Sequence, residues 1–285
     1  MKIYKNIEMK EYSHMKIGGI AKELVFIENK NELKDILTTR EHIFLLGNGT
    51  NTLLHDGNLN ISFISLKNLK KIEIVEKNNE YDLVRVEAGV DFNELIDFME
   101  KNNYTGLENI AGVPGTVGGL VNMNGGAYGT EIFDCIEEVE ICKKDGEIKK
   151  LKKNELSFKY RNTEIKRNHW IVISALFKFK KGFDKDCVVD KRNQRKNKHP
   201  LEYPNLGSTF KNPTGTFAAQ LISDAGLKEY RVGNAMISSK HPNFIINLGN
   251  AKFNDIISII EYVKKTVYEK FNIKLETEII ILKTE

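Results

Sequence analysis

The chain has 285 residues, of which 41% are hydrophobic and 29% charged; this suits one large or about two average domains and excludes a disordered or collagen-like chain. Lys and Arg number 43 against 39 Asp and Glu, and the resulting net charge of +4 does not by itself indicate a nucleic-acid binder. No apolar run approaches the roughly 20 residues that cross a bilayer, and charged residues interrupt the N-terminus where a signal peptide would be apolar. We therefore expect a cytoplasmic protein without membrane insertion.

The N-terminal half predicts alternating strands and helices. Helical periodicity occurs at 31–38, with Asn31 as the capping residue, and again at 92–102. Short runs rich in Val, Ile and Leu predict strands at 24–27, 43–46, 61–66, 69–75 and 83–88. This mixture indicates an α+β fold.

The C-terminal half continues the pattern after a change in composition. A basic segment at 184–204 predicts a polar helix that leads to a domain boundary near Pro200. Strands are predicted at 139–143, 147–151, 170–179, 235–238, 244–246 and 275–282, with an Asp145-Gly146 turn between the first two. Helices are predicted at 217–225 and 253–271.

The cysteines do not indicate a disulfide-stapled or metal-binding fold. Cys135, Cys142 and Cys187 form no C-x-x-C pair and are odd in number, so neither a disulfide framework nor a zinc site is favoured. We expect three reduced structural thiols and no bound metal.

Glycine is concentrated in four clusters, which lie at 18–19, 47–51, 112–119 and 125–129. Loops without β-carbons expose consecutive backbone N–H groups, and such loops can hold phosphate oxygens. Ordinary tight turns are the alternative for any single cluster. None of the clusters is a G-x-G-x-x-G opening a helix or a G-x-x-x-x-G-K-[ST] loop, so the common nucleotide-binding folds are disfavoured.

Residues 107–119 (LENIAGVPGTVGG) and 124–129 (NGGAYG) closely resemble the flavin-binding signature of the UDP-N-acetylenolpyruvoylglucosamine reductase family. The other blocks of that family follow in its order: LGNGTN at 46–51, Tyr160-Arg161, GSTFKNP at 207–213 and LETEI at 275–279. The resemblance implies an FAD-binding module of the vanillyl-alcohol-oxidase (PCMH) type, made of two α+β subdomains, and a separate α+β substrate-binding domain. The implied bounds are 1–66 and 67–200 for the subdomains, with strand 275–285 returning to the second, and 201–274 for the substrate-binding domain.

The resemblance also implies the activity: NADPH-dependent reduction of UDP-N-acetylglucosamine enolpyruvate to UDP-N-acetylmuramate through non-covalent FAD, a step of peptidoglycan precursor synthesis. The implied FAD-binding residues are Leu46, Gly47, Asn48, Gly49, Thr50, Asn51, Gly112, Val113, Pro114, Gly115, Thr116, Gly118, Gly119, Gly125 and Ala127. NADPH is the co-substrate, and the partners expected are small molecules, with no nucleic acid and a monomeric protein.

Three catalytic positions follow from the matched blocks. Ser208 resembles the family's proton donor, and Arg161 and Glu278 resemble the pair that stabilises the intermediate. Hydride delivery to an enol ether conjugated to a carboxylate creates negative charge, which an arginine can stabilise until a nearby hydroxyl supplies a proton. The substrate-binding residues implied are Tyr160, Lys211, Asn212 and His241.

The chain departs from the family pattern at Met15-Lys16, Leu120 and Leu206, which concerns local packing around the flavin and the loops. The interval from Arg161 to Ser208 lacks the tyrosine-bearing insertion of the longer class, so the chain resembles the short class. Two alternatives are retained: another FAD-dependent oxidase or dehydrogenase of this fold, and a non-catalytic nucleotide- or RNA-binding protein that uses the basic residues at 191–199.

Overall fold

The computed structural model describes residues 1–283, and within them lie seven α-helices and nineteen strands. The helices are α1 (Glu32–Thr39), α2 (Phe92–Asn102), α3 (Val117–Met123), α4 (Glu164–Arg167), α5 (Lys185–Lys198), α6 (Ala218–Asp224) and α7 (Phe253–Phe271). The strands are β1 (Lys2–Glu8), β2 (Ile20–Phe26), β3 (Ile43–Leu45), β4 (Thr52–Leu54), β5 (Leu59–Ser65), β6 (Ile72–Lys77), β7 (Tyr81–Glu87), β8 (Tyr104–Thr105), β9 (Gly126–Ala127), β10 (Thr130–Glu131), β11 (Ile136–Cys142), β12 (Ile148–Lys152), β13 (Phe158–Lys159), β14 (Asn162–Thr163), β15 (Ile171–Lys181), β16 (Arg231–Val232), β17 (Ala235–Ile237), β18 (Ile245–Asn247) and β19 (Ile280–Leu282). The α+β class predicted from the sequence is confirmed.

The chain divides into two compact units, each with its own hydrophobic core. The first unit comprises Met1–Lys5, Glu23–Gly47 and Ile61–Gln194; the second comprises Asn6–Lys22, Asn48–Asn60 and the chain from Arg195 onward. Buried aliphatic and aromatic side chains fill both cores, with Phe92 and Phe177 in the first and Leu53 and Ile260 in the second. The finer division into 1–66, 67–200 and 201–274 stays a prediction.

The main sheet of the first unit is antiparallel, with strand order β12-β11-β15-β7-β6, and β8 adds to one end of β15. Its central strand β15 is almost fully buried over its first seven residues, which explains the long apolar run in the sequence. The predicted Asp145-Gly146 turn joins β11 to β12, and Gly146 has a φ of 85° that suits glycine. The strands predicted at 139–143, 147–151 and 170–179 are therefore confirmed.

A second sheet has the order β1-β2-β5-β3, in which β3 and β5 run parallel. Strand β1 was not predicted from its sequence, KIYKNIE. In the structure nearly every residue of β1 is exposed, so the strand has no buried face that an apolar alternation could mark. It forms the edge of the sheet, where lysines discourage pairing with another chain.

The second unit contains the antiparallel sheet β16-β17-β18 and the long amphipathic helix α7. The helix spans the predicted residues 253–271 and buries Ile256, Ile260 and Val263 along one face. The predicted strand 275–282 is shorter than expected: only Ile280–Leu282 forms a strand, and it pairs in parallel with Thr52–Leu54.

That pairing corrects the expectation that the C-terminal strand returns to residues 67–200, since its partner lies within 1–66. The preceding residues, predicted as strand, instead lie beside 209–211: the Glu278 N–H donates to the Thr209 carbonyl (2.8 Å) and the Lys211 N–H to the Glu276 carbonyl (2.9 Å). These bonds divert the chain before it can extend the strand.

Asparagines in the left-handed conformation end three helices: Asn103 follows α2, Asn124 follows α3 and Asn272 follows α7. The cap predicted at Asn31 is not formed, because Asn31 has helical dihedrals and its side chain accepts no capping hydrogen bond. Glu32 instead accepts from the N–H groups just before α1.

Candidate functional site

Two of the predicted FAD-binding loops meet in the first unit. A β-carbon on Gly47 would lie 3.1 Å from Oγ1 of Thr116. The Leu46 N–H donates to the Ile64 carbonyl (2.8 Å), which holds the start of its loop against β5. The structure therefore brings the loop at 46–47 beside the loop at 112–119.

The segment 112–119 leads into helix α3, which the sequence did not predict because it contains Gly118 and Gly119. Thr116 is the N-cap residue of α3. Four amides donate within the protein: Val113 to Ile110 O (3.1 Å), Val117 to Val90 O (2.9 Å), Gly118 to Ala88 O (2.9 Å) and Gly119 to Thr116 Oγ1 (3.3 Å).

The remaining donors of this segment are few, since Pro114 has no N–H. Within residues 1–283, the amides of Gly112, Gly115 and Thr116 donate no hydrogen bond. Gly112 and Gly115 have φ values of 80° and 137°, which only glycine adopts readily. These three amides are thus the donors that this segment can offer to an anionic group.

At other positions of the predicted FAD-binding loops, glycine is explained by packing within the protein. A β-carbon on Gly49 would lie 2.2 Å from the Tyr12 carbonyl oxygen, and one on Gly118 would lie 2.6 Å from the β-carbon of Ala88. A β-carbon on Gly125 would lie 3.0 Å from Cγ of Leu120. Close packing inside the protein therefore already requires or favours glycine at these positions.

Gly125 and Ala127 lie at a small hairpin. Strands β9 and β10 pair through Ala127 and Thr130, and the turn residues Tyr128 and Gly129 both have positive φ, 52° and 81°. That combination is typical of a type I′ turn. The carbonyl of Gly126 in this hairpin accepts a hydrogen bond from Arg161.

Arg161 is held against this region by its guanidinium group. Nη1 donates to the Asn124 carbonyl (3.3 Å) and Nη2 to the Gly126 carbonyl (2.6 Å). Arg161 has a φ of 54°, in the left-handed region that non-glycine residues rarely occupy. Its guanidinium carbon lies 4.8 Å from the ring centroid of Tyr160, a cation–π contact that further fixes its plane.

Ser208 and Glu278 come together in the second unit. The Glu278 N–H donates to the carbonyl of Thr209, the residue after Ser208, at 2.8 Å. Asn51 lies at the same place, because its Nδ2 donates to the Glu278 carbonyl (3.4 Å) and its own carbonyl accepts from Ile280 N–H (2.9 Å). Glu278 and Asn51 therefore share one backbone network with Thr209, the residue that follows Ser208.

Two predicted substrate-binding residues near Ser208 make contacts within the protein. Nζ of Lys211 is 3.0 Å from a carboxylate oxygen of Glu276 in a partly exposed ion pair. Oδ1 of Asn212 accepts from the Ala218 N–H (3.1 Å) at the start of α6. Asn212 thus fixes the position of α6 through its oxygen.

His241, the third predicted substrate-binding residue of this unit, packs beside a second histidine. The ring centroids of His241 and His199 are 5.2 Å apart, and both rings contact Phe244. Burial, with a contribution from the Arg195 charge, lowers the pKa of His241 and lowers that of His199 to about 3. Both imidazoles are therefore neutral near pH 7, although sequence analysis had placed His199 only within the basic segment at 191–199.

Part of the predicted basic segment at 191–199 is engaged with neighbouring side chains. Nζ of Lys191 lies 5.0 Å from the ring centroid of Tyr128, and Arg192 pairs with Asp97 at 3.1 Å. Both contacts lie in the first unit.

The three cysteines are free thiols. Burial raises the pKa of Cys135 to about 12 and that of Cys142 to about 11, and it also raises the pKa of Cys187. Thiols in this state are protonated at neutral pH and are poor nucleophiles. Among the described residues, no three His, Cys, Asp or Glu side chains are grouped to hold a metal ion. No helix in that part of the chain has the length and apolar character needed to cross a bilayer.

Comparison with known proteins finds similarity over nearly the whole chain. The family descriptions "FAD binding domain" and "UDP-N-acetylenolpyruvoylglucosamine reductase, C-terminal domain" match residues 21–152 and 199–282. The UDP-N-acetylenolpyruvoylglucosamine reductase of Fusobacterium nucleatum is 53% identical, covering 99% of this chain and 100% of its own; that of Clostridium novyi is 42% identical, covering 99% and 93%. The crystal structure of the reductase from Thermus caldophilus aligns with a TM-score of 0.85 at 31% identity, covering 99% and 100%.

Proposed function

The chain belongs to the UDP-N-acetylenolpyruvoylglucosamine reductase family, and on that premise we propose which of its residues hold the flavin, hold the substrate and perform the chemistry. The protein is an FAD-dependent oxidoreductase that reduces UDP-N-acetylglucosamine enolpyruvate to UDP-N-acetylmuramate with NADPH, in peptidoglycan precursor synthesis. Identity of 53% to a reductase over the full length favours this activity over another FAD oxidase or an RNA-binding protein.

The flavin-binding residues proposed are those of the two loops that meet at Gly47 and Thr116, together with Gly125 and Ala127 at the hairpin. The amides of Gly112, Gly115 and Thr116, which donate no hydrogen bond within residues 1–283, suit the negatively charged pyrophosphate of FAD. We propose non-covalent binding, because none of the individual FAD-binding residues carried over from the family is a His, Tyr or Cys.

FAD held by these residues would supply hydride transfer from NADPH to the terminal carbon of the enolpyruvyl ether. Negative charge then develops on the substrate carboxylate and on the carbon next to it. The residues of this chain must hold that charge and supply one proton to that carbon.

Arg161 is proposed to stabilise the charge. A guanidinium group is always cationic and presents paired N–H donors in one plane, which matches the two oxygens of a carboxylate. The bonds to the carbonyls of Asn124 and Gly126 support this role because they fix that plane in advance.

Ser208 is proposed as the proton donor, and Glu278 as the residue that stabilises the intermediate with Arg161. The observation that supports this proposal is the hydrogen bond from the Glu278 N–H to the carbonyl of Thr209, the residue that follows Ser208. A serine hydroxyl is a weak acid, so its neighbours must lower the cost of losing its proton.

The proposed substrate-binding residues are Tyr160, Lys211, Asn212 and His241. A lysine and an amide suit the pyrophosphate and sugar of a nucleotide substrate, and a neutral histidine can donate or accept a hydrogen bond without adding charge. We also propose that the protein acts in the cytoplasm as a monomer on small molecules only, and light scattering of the purified protein tests the monomer.

The test separates the two half-reactions. Replacing Ser208 by Ala should leave anaerobic bleaching of the flavin by NADPH nearly intact, because the proton donor is not needed there. Reoxidation by the enolpyruvyl substrate should slow by roughly a hundredfold to ten-thousandfold, the usual contribution of a positioned general acid. Stopped-flow absorbance measures both steps, and the role of Ser208 is wrong if both slow equally or if reoxidation is unchanged.

A further inference from the structure

The segment that carries Ser208 lies outside regular secondary structure. Between the end of α5 at Lys198 and the start of α6 at Ala218, the chain forms only isolated bridges, at Asn205 and Phe210. Gly207, immediately before Ser208, has a φ of 75° in the left-handed region. Such a segment takes its conformation from the groups that bind its backbone, because no helix or strand fixes it.

Asn243 binds that backbone next to Ser208 with both ends of its amide. Its Oδ1 accepts from the Phe210 N–H at 2.9 Å, and its Nδ2 donates to the Phe210 carbonyl at 2.8 Å. Its own carbonyl accepts from the Thr209 N–H at 2.7 Å. Asn243 is 3% exposed, so these bonds are formed away from competing water.

The other side of the same backbone is held by the C-terminal segment. The carbonyls of Thr209 and Glu276 accept from Glu278 and Lys211, so residues 209–211 lie between Asn243 and Glu278. The Asn243 amide therefore binds Phe210, which lies next to Thr209. Thr209 in turn follows Ser208 and is hydrogen-bonded to Glu278, so the amide acts next to both proposed catalytic residues.

We propose that Asn243 is a positioning residue for the proton transfer: its amide fixes the backbone after Ser208 so that the hydroxyl is presented in one orientation. This inference rests on the proposed role of Ser208 as the proton donor. A displacement of about 1 Å in a reacting group can cost a hundredfold in rate, so loss of the Asn243 amide should slow the step that uses Ser208.

The loop that contains Asn243 has hydrogen bonds of its own. Oγ of Ser238 accepts from the Lys240 N–H (3.1 Å), and the Phe244 N–H donates to the His241 carbonyl (2.9 Å). Strands β17 and β18 flank the loop and pair in register. Asn243 therefore belongs to a hydrogen-bonded loop, and its amide holds the backbone of Phe210 against that loop.

The chain offers a matched control in Asn247. It is also 3% exposed, its Nδ2 donates to the Met15 carbonyl (2.9 Å), and its Oδ1 accepts from the Gly249 N–H (2.8 Å). It thus binds backbone as Asn243 does, but none of these groups adjoins Ser208 or Glu278.

The experiment compares Asn243→Ala, Asn247→Ala, Ser208→Ala and the double variant Asn243→Ala/Ser208→Ala as FAD-loaded proteins. Stopped-flow absorbance gives flavin reduction by NADPH and reoxidation by UDP-N-acetylglucosamine enolpyruvate. For Asn243→Ala we expect reoxidation to slow by roughly tenfold to a hundredfold with reduction unchanged. Asn247→Ala should lower the melting temperature and change neither half-reaction.

The double variant tests whether Asn243 acts through Ser208. If it does, adding Asn243→Ala to Ser208→Ala should slow reoxidation by less than about twofold, because two residues that act as a unit are not additive. Hydrogen–deuterium exchange gives a readout independent of activity: the Phe210 amide should exchange faster in Asn243→Ala and at the normal rate in Asn247→Ala.

The inference is overturned if Ser208→Ala slows reoxidation and Asn243→Ala does not, a result that leaves the role of Ser208 intact. It is also overturned if both asparagine variants slow reoxidation equally, or if Asn243→Ala slows both half-reactions. Unchanged reoxidation in Ser208→Ala removes the proposed role and the inference together. If Asn243→Ala does not fold, Asn243→Asp, which keeps an acceptor for the Phe210 N–H but lacks the donor, takes its place in each comparison.

Discussion

The adjacent glycines of α3 permit a direct test of whether the FAD-binding loop needs close approach by a ligand. A β-carbon on Gly119 would meet only Oγ1 of Thr116, at an ordinary contact distance of 3.4 Å. A β-carbon on Gly118 would lie 2.6 Å from the β-carbon of Ala88, which must then move. Packing within the protein therefore tolerates alanine at position 119 and disfavours it at position 118.

These distances set the expected magnitudes. Gly119→Ala lies inside a helix, where alanine is more favourable than glycine by about 0.5–1 kcal/mol. Flavin-free Gly119→Ala should therefore be at least as stable as the parent, whereas Gly118→Ala should lose about 1–3 kcal/mol through overpacking. If FAD approaches Gly119 as proposed, the added methyl group should weaken FAD binding even though the fold is unharmed.

The assay measures both properties separately. Thermal melting of the flavin-free proteins gives stability, and titration with FAD followed by flavin fluorescence gives the dissociation constant. We expect Gly119→Ala to melt normally and to bind FAD at least tenfold more weakly. Full FAD affinity in Gly119→Ala would refute the reasoning, since α3 would then need glycine for neither packing nor ligand contact at this position.

Three further outcomes are expected. Acid precipitation should release all flavin colour into the supernatant, and colour that stays in the pellet would contradict non-covalent binding. Glu229 has a φ of 63°, so Glu229→Gly should raise the free energy of unfolding by about 1 kcal/mol in denaturant titrations; a lower value would show that the side chain contributes more than the strain costs. Burial lowers the pKa of His199 to about 3, below the ordinary histidine pKa of about 6.5. The unfolded chain therefore binds more protons, and stability should fall as pH drops through 6.5. His199→Gln should flatten that fall in melting temperature between pH 7 and 5, and an unchanged slope would contradict the assignment.

Sequence periodicity predicted the long, one-sided elements well. The bounds of α2 and α7 agree with the predicted 92–102 and 253–271, because each helix buries a continuous apolar stripe. Strand β1 and helix α3 were missed, since β1 buries almost nothing and α3 carries two glycines. Both elements form because of tertiary contacts, and hydrophobic periodicity in the sequence carries no information about such contacts.

The candidate site was predicted unevenly. Family motifs supplied the proposed catalytic residues, but two asparagines beside them were not among the predicted site residues. The Asn124 carbonyl accepts from the Arg161 guanidinium, and the Asn243 amide binds the backbone of Phe210. From the sequence alone, an asparagine that caps a turn cannot be distinguished from one that binds a distant backbone segment. Several motif glycines also proved to be needed for internal packing, which a sequence cannot distinguish from approach to a ligand.

The path of the chain between the two units has a consequence for biosynthesis. The second unit takes Asn6–Lys22 and Asn48–Asn60 from the start of the chain and completes its sheet pairing at Thr52–Leu54 with Ile280–Leu282. A ribosome releases those early segments before residues 206–282 are made, so Met15, Ile17 and Leu53 wait for most of the core that they join. A fragment that starts at residue 195 would lack these three side chains and therefore part of its own core.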